Sequence, residues 1–339
     1  MQNAIVFNKV GYDPFIDFLK GLCIVSVVLT HSIPYEWQQI IGFPFWGAQA
    51  VPVFLLIQSF HYLKHEDVLR VNWQKLWKRI ILPFVVVQSI MVGVIVGQYL
   101  GGSGVLSTPL RELLYSGGNG PGSYYFWIYL QFALIVLPLF AWVQKRLQLK
   151  AWMWLIVFAL VSEGLEILCS IIHISPEWYR LLAFRYVFLA YGGYVWVKEG
   201  IRINWKTSGL GLLSILAIVL FQYQHVRFEP WVFDTAWRYF HWFCYFWAMY
   251  GLVYVANLAF KYTGGGIRST MEFVGRYSYE VFLIQMLVFA YYPYDGNKWV
   301  YLVGTTMLSI VPVVLYFRTK KKLEISGNFG NSEGGGEEN

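Results

Sequence analysis

Residues 80–100, IILPFVVVQSIMVGVIVGQYL, run for 21 positions without a charged side chain and follow directly on Lys75, Lys78 and Arg79. A hydrocarbon core of about 30 Å takes ~20 helical residues to cross. Backbone in lipid must also satisfy its own hydrogen bonds, which a helix does within one segment. The stretch reads as a membrane-crossing helix whose basic end lies at the cytoplasmic boundary, where Lys and Arg collect. The rest of the chain agrees. Of its 339 residues 57% are hydrophobic, 20% aromatic and 13% charged, against about 25% charged in a soluble domain. A water-soluble fold, a collagen, a disordered chain and a disulfide-rich module are all excluded.

Nine further apolar windows lie on either side of this one: 16–33, 46–63, 124–143, 151–172, 180–197, 207–224, 239–260, 273–292 and 299–317. Their runs are continuous, which argues against the alternating strands of a β-barrel. The expected fold class is all-α, a polytopic transmembrane helical bundle of about ten spans. The weakest window is 46–63, interrupted by Pro52, Gln58 and His61. With the amino terminus inside, eighteen Lys and Arg fall in cytoplasmic loops, among them Lys9, Lys64, the 75–79 trio and the basic run ending at Lys322. The opposite loops hold five: Arg111, Arg180, Arg227, Arg238 and Lys298. That asymmetry sets both termini in the cytoplasm and accounts for most of the +7 net charge. Residues 1–325 read as one transmembrane domain. The Gly/Asn/Ser/Glu-rich 326–339 reads as a disordered tail.

The first apolar segment has no small-x-small cleavage site near its end and carries Asp17 and Lys20 at its start, so it reads as a retained helix. Cys23, Cys169 and Cys244 are scattered in apolar runs and give neither a disulfide framework nor a metal-ligand spacing. No metal is expected.

Ionisable groups inside a span are costly, so each is a functional candidate. They are Asp17, Lys20, His31, His61, Glu163, Glu166, Arg185, His241 and Glu280. Lys20 and His31 are eleven residues apart, three turns and a little more, which puts them on one helix face roughly 16 Å apart. Asp17 and Lys20 are i,i+3 neighbours and can pair. A structural Lys–Asp pair with a His bonded to a neighbouring helix fits the same spacing. Lys75, Lys78 and Arg79, at i, i+3 and i+4, share a face; topology and anionic lipid explain them as well as a bound ligand does. Arg185 calls for a carboxylate, which Glu163 or Glu166 supplies as structure or as part of a sugar site. His61 and His241 read as interfacial groups.

"FIDFLKGLCIVSVVLTHS" at 15–32 resembles the first helix of the acyltransferase 3 family of membrane O-acyltransferases. That family's signature is a basic residue, ten residues, then His. Lys20 and His31 match it, with Lys in place of the more usual Arg. "VPVFLLIQSFHYL" at 51–63, "KLWKRIILPF" at 75–84, "PGSYYFWIYLQ" at 121–131 and "VGRYSYEVFLIQ" at 274–285 are similar to further elements in the same order. Three departures stand out: Gln58-Ser59-Phe60 for Ser-Gly-[FY], Ser123-Tyr124-Tyr125 for His-Leu-Trp, and Gln285 where His is common.

The resemblance implies transfer of an acyl group, acetyl by default, from cytoplasmic acyl-CoA to a hydroxyl of an envelope glycan or glycolipid precursor. It implies a bacterial inner-membrane setting, involves no nucleic acid and is compatible with a homo-oligomer. His31 would be base or acyl carrier, grouped with Asp17. Lys20, Lys75, Lys78 and Arg79 would hold the phosphates of CoA. Ser123, Tyr124 and Gln131 are candidates for oxyanion or acceptor contacts, and Glu163, Glu166 and Arg185 for acceptor recognition. The competing class is a secondary transporter or flippase for a polar small molecule or glycan precursor, with Asp17, Glu163, Glu166 and Arg185 as a proton relay. It lacks the inverted repeat and matched Gly/Pro-broken helices such carriers use.

The loop arrangement is directly testable. Single-Cys variants in loops 34–47 and 225–238 should react with an impermeant thiol reagent in intact cells. Labelling that appears only after lysis overturns the assigned orientation.

Overall fold

The computed structural model describes residues 4–5, 13–64, 71–102, 111, 115–224, 241–292 and 296–330. Each of the ten apolar segments is largely helical over its described residues. In chain order the principal helices are α1 (Pro14–Ser32), α2 (Ala50–Lys64), α3 (Trp73–Leu100), α4 (Tyr124–Leu147), α5 (Ala151–Ile171), α6 (Phe188–Glu199), α7 (Trp205–Gln224), α8 (Trp242–Tyr262), α9 (Gly265–Arg276), α10 (Ser278–Tyr291) and α11 (Lys298–Gly330). Among the described residues the only strands are Ala4–Ile5 and Ile201–Arg202, paired antiparallel. This pairing brings the start of the chain beside the turn between α6 and α7. Nothing of residues 331–339, the greater part of the expected tail, lies within the described residues, and α11 continues to Gly330.

Six of these helices are long and apolar enough to cross a membrane: α1, α3, α4, α5, α8 and the Lys298–Lys320 portion of α11. Of the other four expected segments, those of α2, α6 and α10 form shorter helices, and the apolar portion of α7 is Trp205–Leu220. α2 and α6 lie side by side inside the bundle, and every residue of α6 from Phe188 to Val197 is buried. A helix that is apolar all round belongs in a core. Their contact is close because Gly193 lies against Ser59 and Gly192 against Leu56 and Met249.

Two of the expected continuous spans are broken. The 180–197 window divides into a short helix, Pro176–Leu181, an extended Leu182, a tight turn at Phe184–Tyr186, and then α6. Gln131 of α4 makes the break tolerable: its Nε2 donates to the Leu181 carbonyl at 2.6 Å, and its Oε1 accepts from the Ala183 N–H at 3.0 Å. Backbone groups freed within a bundle need such a partner. The 273–292 window turns at Tyr277 between α9 and α10. Prolines leave a different mark. In α3 and α4 a wide π turn, Trp77–Ile81 and Phe132–Val136, ends two residues before Pro83 and Pro138. The extra residue in the turn absorbs the missing N–H and the ring's clash with the preceding turn.

α1 joins two cores. Phe15, Leu19 and Cys23 pack with α2, α6 and α8, while Ile24 and Val28 pack with α3, α10 and α11. The outward faces of α3, α5, α7 and α11 carry exposed Ile90, Leu160, Leu212 and Leu315, a surface suited to lipid.

The tightest contact is between α1 and α9. A Cβ on Gly275 would overlap the Asp17 carbonyl and stand 2.6 Å from the Gly21 N; one on Gly21 would overlap the Met271 carbonyl. Backbone therefore meets backbone, as small residues permit in membrane helices. Gly275→Ala should destabilise the protein by about 1–3 kcal/mol, read as thermal unfolding in detergent. Gly264→Ala, where a Cβ meets nothing, should be near neutral. Equal stability of the two variants would deny the close crossing.

Candidate active site

At one end of the bundle the α1–α9 crossing gathers charge. The buried Asp17 carboxylate accepts from Lys20 Nζ at 2.6 Å and lies 3.5 Å from Arg276 Nε. Asp13 caps α1 by accepting from the Phe15 N–H at 3.0 Å. Glu280, in the first turn of α10, feels the positive charges of Arg79 and Lys20. Lys75, Lys78 and Arg79 are all exposed at the start of α3. Lys78 and Arg79 lie within the π turn, so their i,i+3 and i,i+4 spacing from Lys75 no longer fixes one α-helical face. The cluster is a solvent-facing cationic mouth with Lys20 at its inner edge.

His31 lies in the last turn of α1, partly buried, with its ring edge-on to Phe289 of α10 at 5.7 Å. The stripe Lys20–Ile24–Val28–His31 follows one α1 face, and its two middle members are buried against the α3 and α10 core. The backbone around His31 is fixed from two sides. Gln38 Nε2 donates to the Thr30 and Ile33 carbonyls at 2.9 and 2.8 Å, taking up carbonyls a helix end leaves over. Ser32 accepts at 3.0 Å from Thr305 of α11. The imidazole itself makes no hydrogen bond among the described residues. Asp17 and His31 are not brought together, because fourteen helical residues separate them by about 21 Å. Asp17 holds Lys20; it does not orient the imidazole.

α10 runs alongside α3 in the same direction. Tyr279 donates to the Ile80 carbonyl at 2.7 Å and, three turns on, Tyr291 to that of Met91 at 3.2 Å. The segment SGGNGPGS at 116–123 enters the space beside them. Gly117, Gly118, Gly120 and Gly122 all have positive φ, a conformation glycine adopts without cost to a side chain. Gln88 of α3 grips the segment at both faces of one residue: Nε2 donates to the Asn119 carbonyl at 3.0 Å and Oε1 accepts from the Asn119 N–H at 2.8 Å. Trp127 Nε1 donates to the Gly117 carbonyl at 2.6 Å. The face-to-face stack of Phe84 on Phe126, centroids 3.8 Å apart, fixes where α4 leaves the segment.

The remaining candidates are engaged elsewhere. Ser123 Oγ donates to the Ser116 and Gly118 carbonyls, both at 3.0 Å, and so staples the glycine-rich segment. Gln131 bridges the break before α6. Arg185 lies over the rings of Tyr186 and Tyr124, 4.5 and 5.8 Å from their centroids. The carboxylates expected for it are bonded to other groups: Glu163 accepts from Trp242 Nε1 at 2.6 Å, and Glu166 from the Tyr179 hydroxyl. No cluster of His, Cys, Asp or Glu able to hold a metal occurs among the described residues.

Sequence reasoning overlooked Arg276, Gln88, Asn119 and the buried position of Gln285. Isolated Gln within apolar runs and four glycines in eight residues were the available signals.

A polytopic helical membrane protein with a cationic mouth, and an unbonded imidazole further along the same helix face, is the class these features define. The model of the acyltransferase domain, acyltransferase 3, matches residues 13–318, and the chain belongs to that family. It is a multi-pass membrane acyltransferase that uses an acyl donor. Comparison with curated proteins and with solved structures gives no match.

Proposed function

We propose that this acyltransferase moves an acyl group, acetyl by default, from cytoplasmic acyl-CoA to a hydroxyl of an envelope glycan or glycolipid precursor at the bacterial inner membrane. Residues 1–325 act as one domain that crosses ten times with both termini inside. The observation that carries the reading is the position of His31. Its imidazole is unbonded among the described residues, held by a fixed backbone, and lies on the same α1 stripe as the Asp17-anchored Lys20.

The mechanism follows from that placement. The phosphates of CoA meet Lys75, Lys78, Arg79 and Lys20, where Arg binds phosphate as a fork and Lys as a point charge. The thioester end lies further in, away from bulk water. His31 accepts the proton of the acceptor hydroxyl as its oxygen bonds to the thioester carbonyl carbon. The C–S bond then breaks, and the thiolate leaves with a proton as free CoA thiol. A neutral imidazole can take this proton on a ring nitrogen and hand it on to the leaving group. Acceptor recognition falls to Tyr124 and to Arg185, whose buried Nε has no hydrogen-bond partner among the described residues.

Two sets of variants test the reading. His31→Ala should lower the acyl-transfer rate by about 10²–10⁴ while CoA binding and thermal stability stay near wild type. His31→Gln should lose as much. Near-normal transfer in His31→Ala sinks the mechanism. The triple variant Lys75→Ala/Lys78→Ala/Arg79→Ala should raise the donor KM, and the wild-type KM should itself rise with salt. An unchanged, salt-independent KM returns the trio to a purely topological role.

A further inference from the structure

One face of α10 faces both the glycine-rich segment and His31. Phe282, Gln285, Met286 and Phe289 follow each other at i, i+3, i+4 and i+7, so they share a stripe. A Cβ on Gly122 would stand 3.1 Å from Phe282 and 4.0 Å from Gln285 Nε2, and one on Gly120 would stand 3.1 Å from Met286 Cβ. Phe289 carries the stripe to His31. Gln285 is completely buried, and neither its Oε1 nor its Nε2 has a hydrogen-bond partner among the described residues. On the facing segment Asn119 is 3% exposed, and its Nδ2 is likewise without one.

An amide left unpaired at both ends in an apolar interior costs a desolvation penalty for each end. A leucine would fill the position at no such cost. The surrounding structure holds this arrangement firmly: Gln88 fixes the backbone on both sides of Asn119, and the glycines admit it beside α10. The cost is offset when a ligand supplies the missing groups. A partner for Oε1 and Nε2 together must offer both a donor and an acceptor. Since the N–H and C=O of one trans amide point in opposite directions, an arm with two successive amides supplies them, the N–H of one and the C=O of the next. A thioester carbonyl, being an acceptor alone, would satisfy only half.

The position along the helix says which amide. Gln285 is five residues, about 7.5 Å, beyond Glu280 at the cationic mouth, and four residues, about 6 Å, before Phe289 at His31. A donor reaching from its phosphates at the mouth to its reactive end at His31 passes this point with its middle. Resting on the acyl-CoA reading above, we infer that Gln285 and Asn119 bind the amide-bearing arm of the thioester donor. They form a station that measures the arm and sets the thioester's depth. Gln285 here is a binding residue, distinct from the base.

The test uses purified full-length protein in detergent and two donors, acetyl-CoA and S-ethyl thioacetate, the second having no amide. Gln285→Leu should raise the KM for acetyl-CoA roughly tenfold or more and leave hydrolysis or transfer from S-ethyl thioacetate unchanged. Asn119→Ala should do the same in smaller measure. The melting temperature of Gln285→Leu should equal or exceed that of wild type, because an unpaired buried amide has been removed. An unchanged KM for acetyl-CoA overturns the inference. So does an equal loss with both donors, or a clear fall in melting temperature, which would make the amide a structural group bonded to buried water. If wild-type protein neither binds nor consumes acetyl-CoA, the donor reading itself falls and this inference falls with it. That result cannot be confused with a wild-type enzyme whose Gln285→Leu variant is equally active.

Discussion

The contact on which the rest of the architecture depends is the crossing of two backbones at Gly21 and Gly275. Neither residue has room for a Cβ, so α1 and α9 approach more closely than side chains normally allow. The crossing leaves Arg276, the next residue, beside the buried Asp17 carboxylate. It also fixes where the chain turns at Tyr277 and hence the phase of α10. Each helical residue rotates by about 100°, so a slip of one position would turn Gln285 and Phe289 away from the glycine-rich segment and His31. A packing constraint at one end of the bundle thereby sets side-chain register at the other.

Electrostatics explains why that end suits an anion. Asp13, Asp17 and Glu280 are the carboxylates beside the crossing, and Lys20, Lys75, Lys78, Arg79 and Arg276 together outnumber them. In a partly desolvated setting one carboxylate between two cations leaves an excess of positive charge that water alone compensates poorly. At the opposite end lies the exposed Lys298–Glu36 pair, at 3.1 Å. Lys298 holds the Glu36 carboxyl below its usual range, and exposed pairs of this kind contribute little to stability. The bundle thus carries its buried carboxylate and its clustered cations at one end, beside the Gly21–Gly275 crossing.

Much of this was legible in the sequence, and the failures have physical causes. Hydropathy found every apolar helix, because lipid and core both demand apolar residues. For the same reason it could not tell a lipid-facing span such as α3 from the fully buried α6, or see that Gln131 stabilises a break at Leu182. Periodicity placed Lys20 and His31 on one face, since α1 is unbroken between them. It misjudged the 75–79 trio because Pro83 brings in a π turn, which changes the residues per turn. Grouping Asp17 with His31 ignored the helical rise that separates them. Gln88, Asn119 and Gln285 went unseen because their roles arise from contacts between distant parts of the chain, and only Gln285's departure from the family pattern drew notice.

The distribution of polarity also constrains what can pass along the α1–α10 wall. On the proposed path a donor entering at the mouth meets exposed cations first, then buried neutral amides, then an imidazole with no hydrogen bond among the described residues. Charges work over distance but discriminate weakly among anions. Buried amides act only at contact and reject any ligand that leaves them unpaired. On that proposal the order attracts first and selects second, and the reactive end would reach His31 only after both conditions are met. A small acyl compound without phosphates would not be concentrated at the mouth, and a phosphate compound without the matching amide would leave Gln285 unsatisfied. Specificity in such a wall comes from sequence of encounter along one helix face, which the Gly21–Gly275 crossing holds in register.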